Sequence, residues 1–201
     1  MGIFKSFFSM LSRPSSRYAV GSLVGVGLLA GILATTTFGV ALEKTNTTEF
    51  CISCHTMKDT PYQEYKESQH FRNASGVSAG CADCHVPKEF VPKMRAKIIA
   101  AKDVWHEMLG TIDTSEKFEE RRLQMAERVW AQMERSDSAT CRSCHSWDSM
   151  DYEGQALRAS RQHQEARAQG ETCIDCHKGV AHEEPLRETS DSDGADFDMG
   201  F

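Results

Sequence analysis

Eight cysteines divide among four copies of one pentad, Cys-x-x-Cys-His: Cys51 and Cys54 with His55, Cys81 and Cys84 with His85, Cys141 and Cys144 with His145, Cys173 and Cys176 with His177. Two thiols at this spacing can add to the vinyl groups of a porphyrin, and the imidazole that follows is placed to reach the iron. That is the attachment chemistry of c-type haem. Chance would supply on the order of 0.01 copies of the pattern in a chain of this composition, and four are present. Structural zinc also uses paired Cys-x-x-Cys knuckles, but zinc does not need a histidine directly after each second thiol. Bridges within Cys-x-x-Cys would staple almost nothing and reduce easily. The pentads therefore predict four covalently attached haem c groups and leave no cysteine over.

Four irons offer eight axial positions. The pentads supply four histidines, and four more exist: His70, His106, His163 and His182. Plain counting gives four bis-histidine, low-spin centres. The first pentad complicates the count, because His55-Thr56-Met57 places a thioether two residues past the histidine. If Met57 binds that iron, His55 is displaced and His106 is not required. Methionine more often fills gaps in a core, so at this stage both ligand sets stand.

The elements that must position these groups read as helices. Pro92 to Leu109 carries Met94, Ile98, Ala101, Trp105, Met108 and Leu109 near helical spacing, and Gly110 stops it. Asp113 with Glu116 resembles a capping box that opens a second helix running to Arg135, with Leu123, Ala126, Val129, Trp130 and Met133 on its inner face. A third is expected from Tyr152 to Ala168, ending at Gly170. No useful alternation of strand type appears. The expected fold is an all-α multihaem cytochrome c with little or no β structure. The pentads fall in two pairs, 30 and 32 residues apart within the pairs and 60 residues between them. Each pair encloses one further histidine, His70 or His163, which suggests two related dihaem units at about 43–110 and 136–182.

Ahead of them, residues 18–42 carry no charge, while Lys5, Arg13 and Arg17 precede them without an acid. As a helix these 25 residues would reach roughly 37 Å, enough to cross a ~30 Å hydrocarbon core. The basic flank places residues 1–17 in the cytoplasm and the haem-bearing part, 43–182, outside the inner membrane. A cleaved signal peptide is the rival, with a passable site at Gly39-Val40-Ala41, but its apolar stretch is usually shorter. Gly21/Gly25 and Gly27/Gly31 would let two such helices pack into a homo-oligomer. The net charge of −6 excludes a nucleic-acid partner. Much of the acidity lies in residues 183–201, which have too little apolar content to order themselves.

The anchor, the Cys51-x-x-Cys54-His55-x-Met57 motif, three further pentads, Lys102-Asp103 and the closing run from Cys173 to His182 resemble the NapC/NirT/NrfH family of membrane-anchored tetrahaem quinol dehydrogenases, over about Arg17 to His182. Gly110-Thr111-Ile112-Asp113, Glu116-Lys117-Phe118 and the extra His163 look most like the NapC/NirT branch. The resemblance implies Met57 as ligand of the first haem with Asp103 near its other face, His182 opposite His85, His70 opposite His145, and His163 opposite His177. It leaves His106 either beside the first haem or on its iron. It further implies that a bilayer quinol, ubiquinol or menaquinol, binds at the first haem. There Asp103 would take protons, Lys97 would steady the anion, and Lys93 would be a weaker contact. Electrons would then leave for a periplasmic reductase or its dihaem cytochrome subunit, of the nitrate reductase system. Competing classes are a terminal reductase of nitrite or hydroxylamine at an open first haem, and a haem store or sensor.

Overall fold

The computed structural model describes Ser6 and residues 20–185. The basic N-terminal flank and the tail beyond Pro185 lie outside the described residues. Every regular element among those described is helical.

Two units are distinct, one ending at Thr45 and one beginning at Asn46. From residue 20 onward the first is the helix α1 (Val20–Lys44), close to the expected span and shifted toward its C-terminal end. It is the one described helix long and apolar enough to cross a membrane. Its Thr35 hydroxyl donates to the Gly31 carbonyl at 2.8 Å, which satisfies a polar group that hydrocarbon would not.

The second unit contains α2 (Thr48–Cys51), α3 (His55–Asp59), α4 (Pro61–Glu67), α5 (Cys81–His85), α6 (Phe90–Met108), α7 (Ser115–Arg135), α8 (Ala139–Arg142), a 3-10 turn (Trp147–Ser149), α9 (Leu157–Gln169) and α10 (Cys173–Cys176). The three long helices stand where periodicity puts them, with differences at their starts. α6 begins two residues earlier than expected, because Pro92 sits in the first turn, where its missing N–H costs nothing. α7 is capped by Thr114, whose side chain accepts from Lys117 N at 3.3 Å. Asp113 is not the cap; its carboxylate pairs with the Lys117 ammonium at 2.6 Å. α9 starts at Leu157 rather than Tyr152, since the Asp151 carboxylate accepts from Gly154 N at 3.0 Å and holds a turn there. It stops as expected at Gly170, whose φ of 74° a side-chain-bearing residue rarely adopts.

The predicted inner face of α7 is turned inward, but only Trp130 on it is buried. The pentads themselves make short helices that periodicity does not reveal. They dock onto one another in chain order. The Thr48 hydroxyl of the first accepts from Cys81 N of the second at 3.3 Å. α5 of the second packs on α8 of the third. Ile174 N of the fourth donates to Ser138 Oγ beside the third at 3.2 Å. Ser138 is wholly buried and, with Asp137, holds a left-handed backbone, with φ of 49° and 52° respectively. That bend turns the chain from α7 into α8. α10 then lies back along α7, with Lys178 Nζ 5.0 Å from the Trp130 ring.

Candidate functional site

Three of the four pentad histidines meet a second histidine brought from far along the chain. His85 and His182 lie with ring centres 6.1 Å apart, His70 and His145 6.2 Å, and His163 and His177 5.8 Å. An iron held between two imidazoles, with each metal–nitrogen bond about 2.0 Å and the ring centre a further ~1.1 Å behind, sets the centres roughly 6 Å apart. The three spacings match that requirement. The residues fit haem in a second respect also. Among the described residues only Tyr65, Trp130, Ile174 and the prolines Pro61 and Pro185 are buried apolar side chains, too few to make a core without large apolar groups to pack against.

Each partner histidine is positioned by local structure. His70 follows α4 in a loop fastened by Ala79 N donating to the His70 carbonyl at 3.0 Å. The Tyr65 hydroxyl donates to the Ala79 carbonyl, and the Tyr65 ring meets Phe71 edge-on at 5.2 Å. The His70 Nδ1 atom is buried without a hydrogen-bond partner. His163, on α9, has its Nδ1 2.7 Å from Gln155 Oε1, a bond that leaves the other ring nitrogen to face His177. His182 is fixed through the next residue. Glu183 N donates to Glu64 Oε2 at 3.0 Å, and Arg122 donates to both Glu64 oxygens, at 2.5 and 3.0 Å. Glu64 and Arg122 are each only 12% exposed, and Glu119 also accepts from Arg122 at 2.5 Å. Burial lowers the pKa of His85 to about 4, and also lowers those of His182 and His177. Each shift favours the neutral imidazole, which has a lone pair to offer a metal.

The first pentad differs. The Nε2 of His55 is 2.5 Å from the Asp113 carbonyl oxygen, and its Nδ1 lies 3.3 Å from Glu107 Oε1. Both nitrogens face protein acceptors. Thr56 is buried and donates from the same turn toward Glu107 at 3.2 Å and the Ile112 carbonyl at 3.1 Å. Met57 is 41% exposed. His106 meets neither His55 nor another histidine; its Nδ1 is 2.8 Å from Thr111 Oγ1.

The two α6 groups singled out for proton chemistry differ in their surroundings. Asp103 is reached by solvent along an exposed helix, yet nearby protein raises its carboxyl pKa, with Arg128, His106 and Lys102 pulling the other way. Burial lowers the Lys97 pKa; Cys51 is within electrostatic reach of its ammonium, and so is Lys93. Glu64, Arg122 and Gln155 were not foreseen as supports. Their partners stand across 58 residues in one case and 119 in another, and no local pattern signals such pairing.

The fold thus assembles four attachment motifs in one row, three of them facing a second imidazole. The family described as NapC/NirT cytochrome c family, N-terminal region, matches residues 13–187. The chain is similar to the denitrification system component NirT of Stutzerimonas stutzeri, 52% identical over 177 residues and 88% of each chain. It is similar also to a putative tetraheme cytochrome-c type protein of Allochromatium vinosum, 55% identical over 166 residues, 82% of this chain and 90% of the relative. With the cytochrome c-type protein NapC of Escherichia coli K12 it shares 49% identity over 173 residues, 86% of each chain. Four pentads, three facing imidazole pairs and a match across nearly the whole sequence have one explanation: this chain belongs to the NapC/NirT cytochrome c family.

Proposed function

We propose that this chain oxidises a quinol of the bacterial inner membrane, ubiquinol or menaquinol, and passes the electrons to a periplasmic reductase or its dihaem cytochrome subunit. In this reading α1 is an uncleaved anchor, with residues 1–17 in the cytoplasm and the haem-bearing unit in the periplasm. The observation that carries the proposal is the inequality of the pentads: three histidine pairs at bis-imidazole spacing, and one histidine whose ring nitrogens face the protein.

We assign one haem c to each pentad, held by thioethers to Cys51 and Cys54, Cys81 and Cys84, Cys141 and Cys144, and Cys173 and Cys176. Bound haem c supplies one-electron redox chemistry without proton uptake. His85 with His182, His145 with His70, and His177 with His163 would hold three irons from both faces. Met57 would hold the first from one face, leaving His55 to fasten its own turn to the Asp113 loop. His106 is read as a neighbour of Asp103 rather than a ligand.

A quinol must shed two protons as well as two electrons. Asp103 accepts a hydroxyl proton as general base, and its raised pKa brings it nearer the range where proton transfer is efficient. Lys97 sits near Cys51 and steadies the anion left when the proton departs. Lys93, one turn earlier, adds positive charge to the same edge. The second proton leaves to water on the periplasmic side.

The nitrate reductase system is the proposed acceptor. His163 supports it, because it faces His177 within this chain at 5.8 Å. No ligand for that haem need be borrowed from a partner. The test is reduction of the haem absorption bands in membranes by added quinol, followed by reoxidation with the periplasmic acceptor. Reduction that depends on quinol and is lost in Asp103→Asn supports the reading. Nitrite or hydroxylamine turnover by the chain, with no response to quinol, replaces it with the terminal-reductase class.

A further inference from the structure

Helix α6 (Phe90–Met108) buries none of its residues. One side of it is accounted for by the first pentad. Glu107 reaches Thr56 and His55, and Lys97 lies by Cys51. At about 100° per residue, Val91, Ile98, Trp105 and Leu109 fall within about 40° of one another, on the side of the helix roughly opposite Glu107. They are 75%, 67%, 57% and 57% exposed. A contiguous apolar stripe of this kind on a surface helix marks an interaction face.

The charges on α6 indicate its occupant. Arg95 and Lys102 run along one border of the stripe and Lys97 lies toward the other, while Lys93 and both helix acids, Asp103 and Glu107, lie on the far side. The chain as a whole carries −6, so this cationic frame is local to the helix. An apolar stripe flanked by cations, with an indole on it, suits a helix lying in the headgroup layer. Long basic side chains there reach phosphate while the stripe enters the acyl boundary. The second unit is also joined directly to a span long enough for a bilayer. We propose that α6 is an interfacial helix that rests its Val91–Ile98–Trp105–Leu109 stripe in anionic phospholipid. This surface role stands apart from the redox reading and does not depend on which reductase is served.

The test uses the full-length, haem-loaded chain in nanodiscs. If the eight native cysteines are consumed by haem attachment, a ninth is the sole target for a nitroxide label. Labels go at Val91→Cys, Ile98→Cys and Trp105→Cys, with Glu120→Cys, exposed on α7, as the water-facing reference. Soret absorbance confirms that each variant is folded and loaded. The expected result is a severalfold higher ratio of oxygen to nickel-chelate collisions at the three α6 positions than at Glu120→Cys in discs containing phosphatidylglycerol. That ratio should fall toward the reference in Arg95→Gln/Lys102→Gln and in discs of phosphatidylcholine alone. Collision ratios equal to the reference at all three positions would overturn the proposal. Protection from both oxygen and nickel would also overturn it, by showing that protein or macrocycle covers the stripe. Quinol-dependent haem reduction, measured on the same samples, reports separately on the function proposed above.

Discussion

The first pentad and the other three share a sequence and differ in where the histidine ends. In the second, third and fourth, the ring faces another imidazole delivered from a distant helix or loop. In the first, two nearby acceptors, the Asp113 carbonyl and Glu107, take up the ring. The pentad alone therefore does not determine where its histidine points; what stands opposite it does. Haems held between the three imidazole pairs, as proposed above, would suit electron relay, because low-spin bis-imidazole ligation changes little on reduction. The pentad without a facing histidine is the one beside α6, which carries two acids, Asp103 and Glu107, and several cations.

The contrast also crosses the expected modules. His70 comes from the segment of the first pair and faces the third pentad, while His182 comes from the end of the chain and faces the second. Only His163 and His177 pair within one segment. The spacing repeat is real in the sequence, but its halves interlock within one unit.

The largest effect is expected at the first centre. Asp103→Asn should retain four haems and slow quinol oxidation by about 10²–10⁴-fold, the usual worth of a positioned general base. Since burial raises the Asp103 pKa, the active carboxylate is lost as pH falls through a midpoint above the usual value of about 4. Turnover should therefore rise with pH through that midpoint, and the arm should vanish in Asp103→Asn. A wild-type profile retained in the variant would remove Asp103 from the chemistry.

Next in size is the clamp behind His182. Glu64→Ala strips the carboxylate from buried Arg122 and from Glu183 N, and should cost about 2–3 kcal/mol in denaturant unfolding, below the full cost of breaking a buried pair because Glu119 remains. It should also give one haem partial high-spin character in absorption and EPR spectra. Glu64→Gln keeps an acceptor for Glu183 N and should sit between. A stable, fully low-spin Glu64→Ala protein would detach the clamp from His182.

The smallest effect sharpens the comparison most. His55→Ala should cost about 1 kcal/mol, the worth of a hydrogen bond, and leave the number of bis-histidine signals unchanged. His163→Ala should remove one of them. If His55→Ala removes a bis-histidine signal, the first pentad is no different from the rest.

Much of this was legible in the sequence because the governing signals are local. Pentads, the uncharged span and the 3.6-residue periodicity of α6, α7 and α9 need only neighbours to be read. The histidine pairs were reachable through family resemblance alone; residue spacing is silent on whether His70 meets His145 or His85. The short helices at the pentads escaped because four or five residues carry no periodicity. The side chains that hold the paired histidines escaped for a different reason. Gln155 becomes a support for His163 only once the Asp151 turn delays the start of α9. The α7 cap moved from Asp113 to Thr114 because Lys117 and His55 compete for the aspartate's atoms.

Low-temperature EPR of the oxidised, full-length protein, with and without a quinol analogue, bears most directly on the inequality of the four centres. Three bis-histidine low-spin signals indifferent to the analogue, and a fourth of different character that shifts when it is added, are the expected result. Four bis-histidine signals, or an analogue that perturbs one of the three paired centres instead, would contradict the assignment of quinol oxidation to the first pentad.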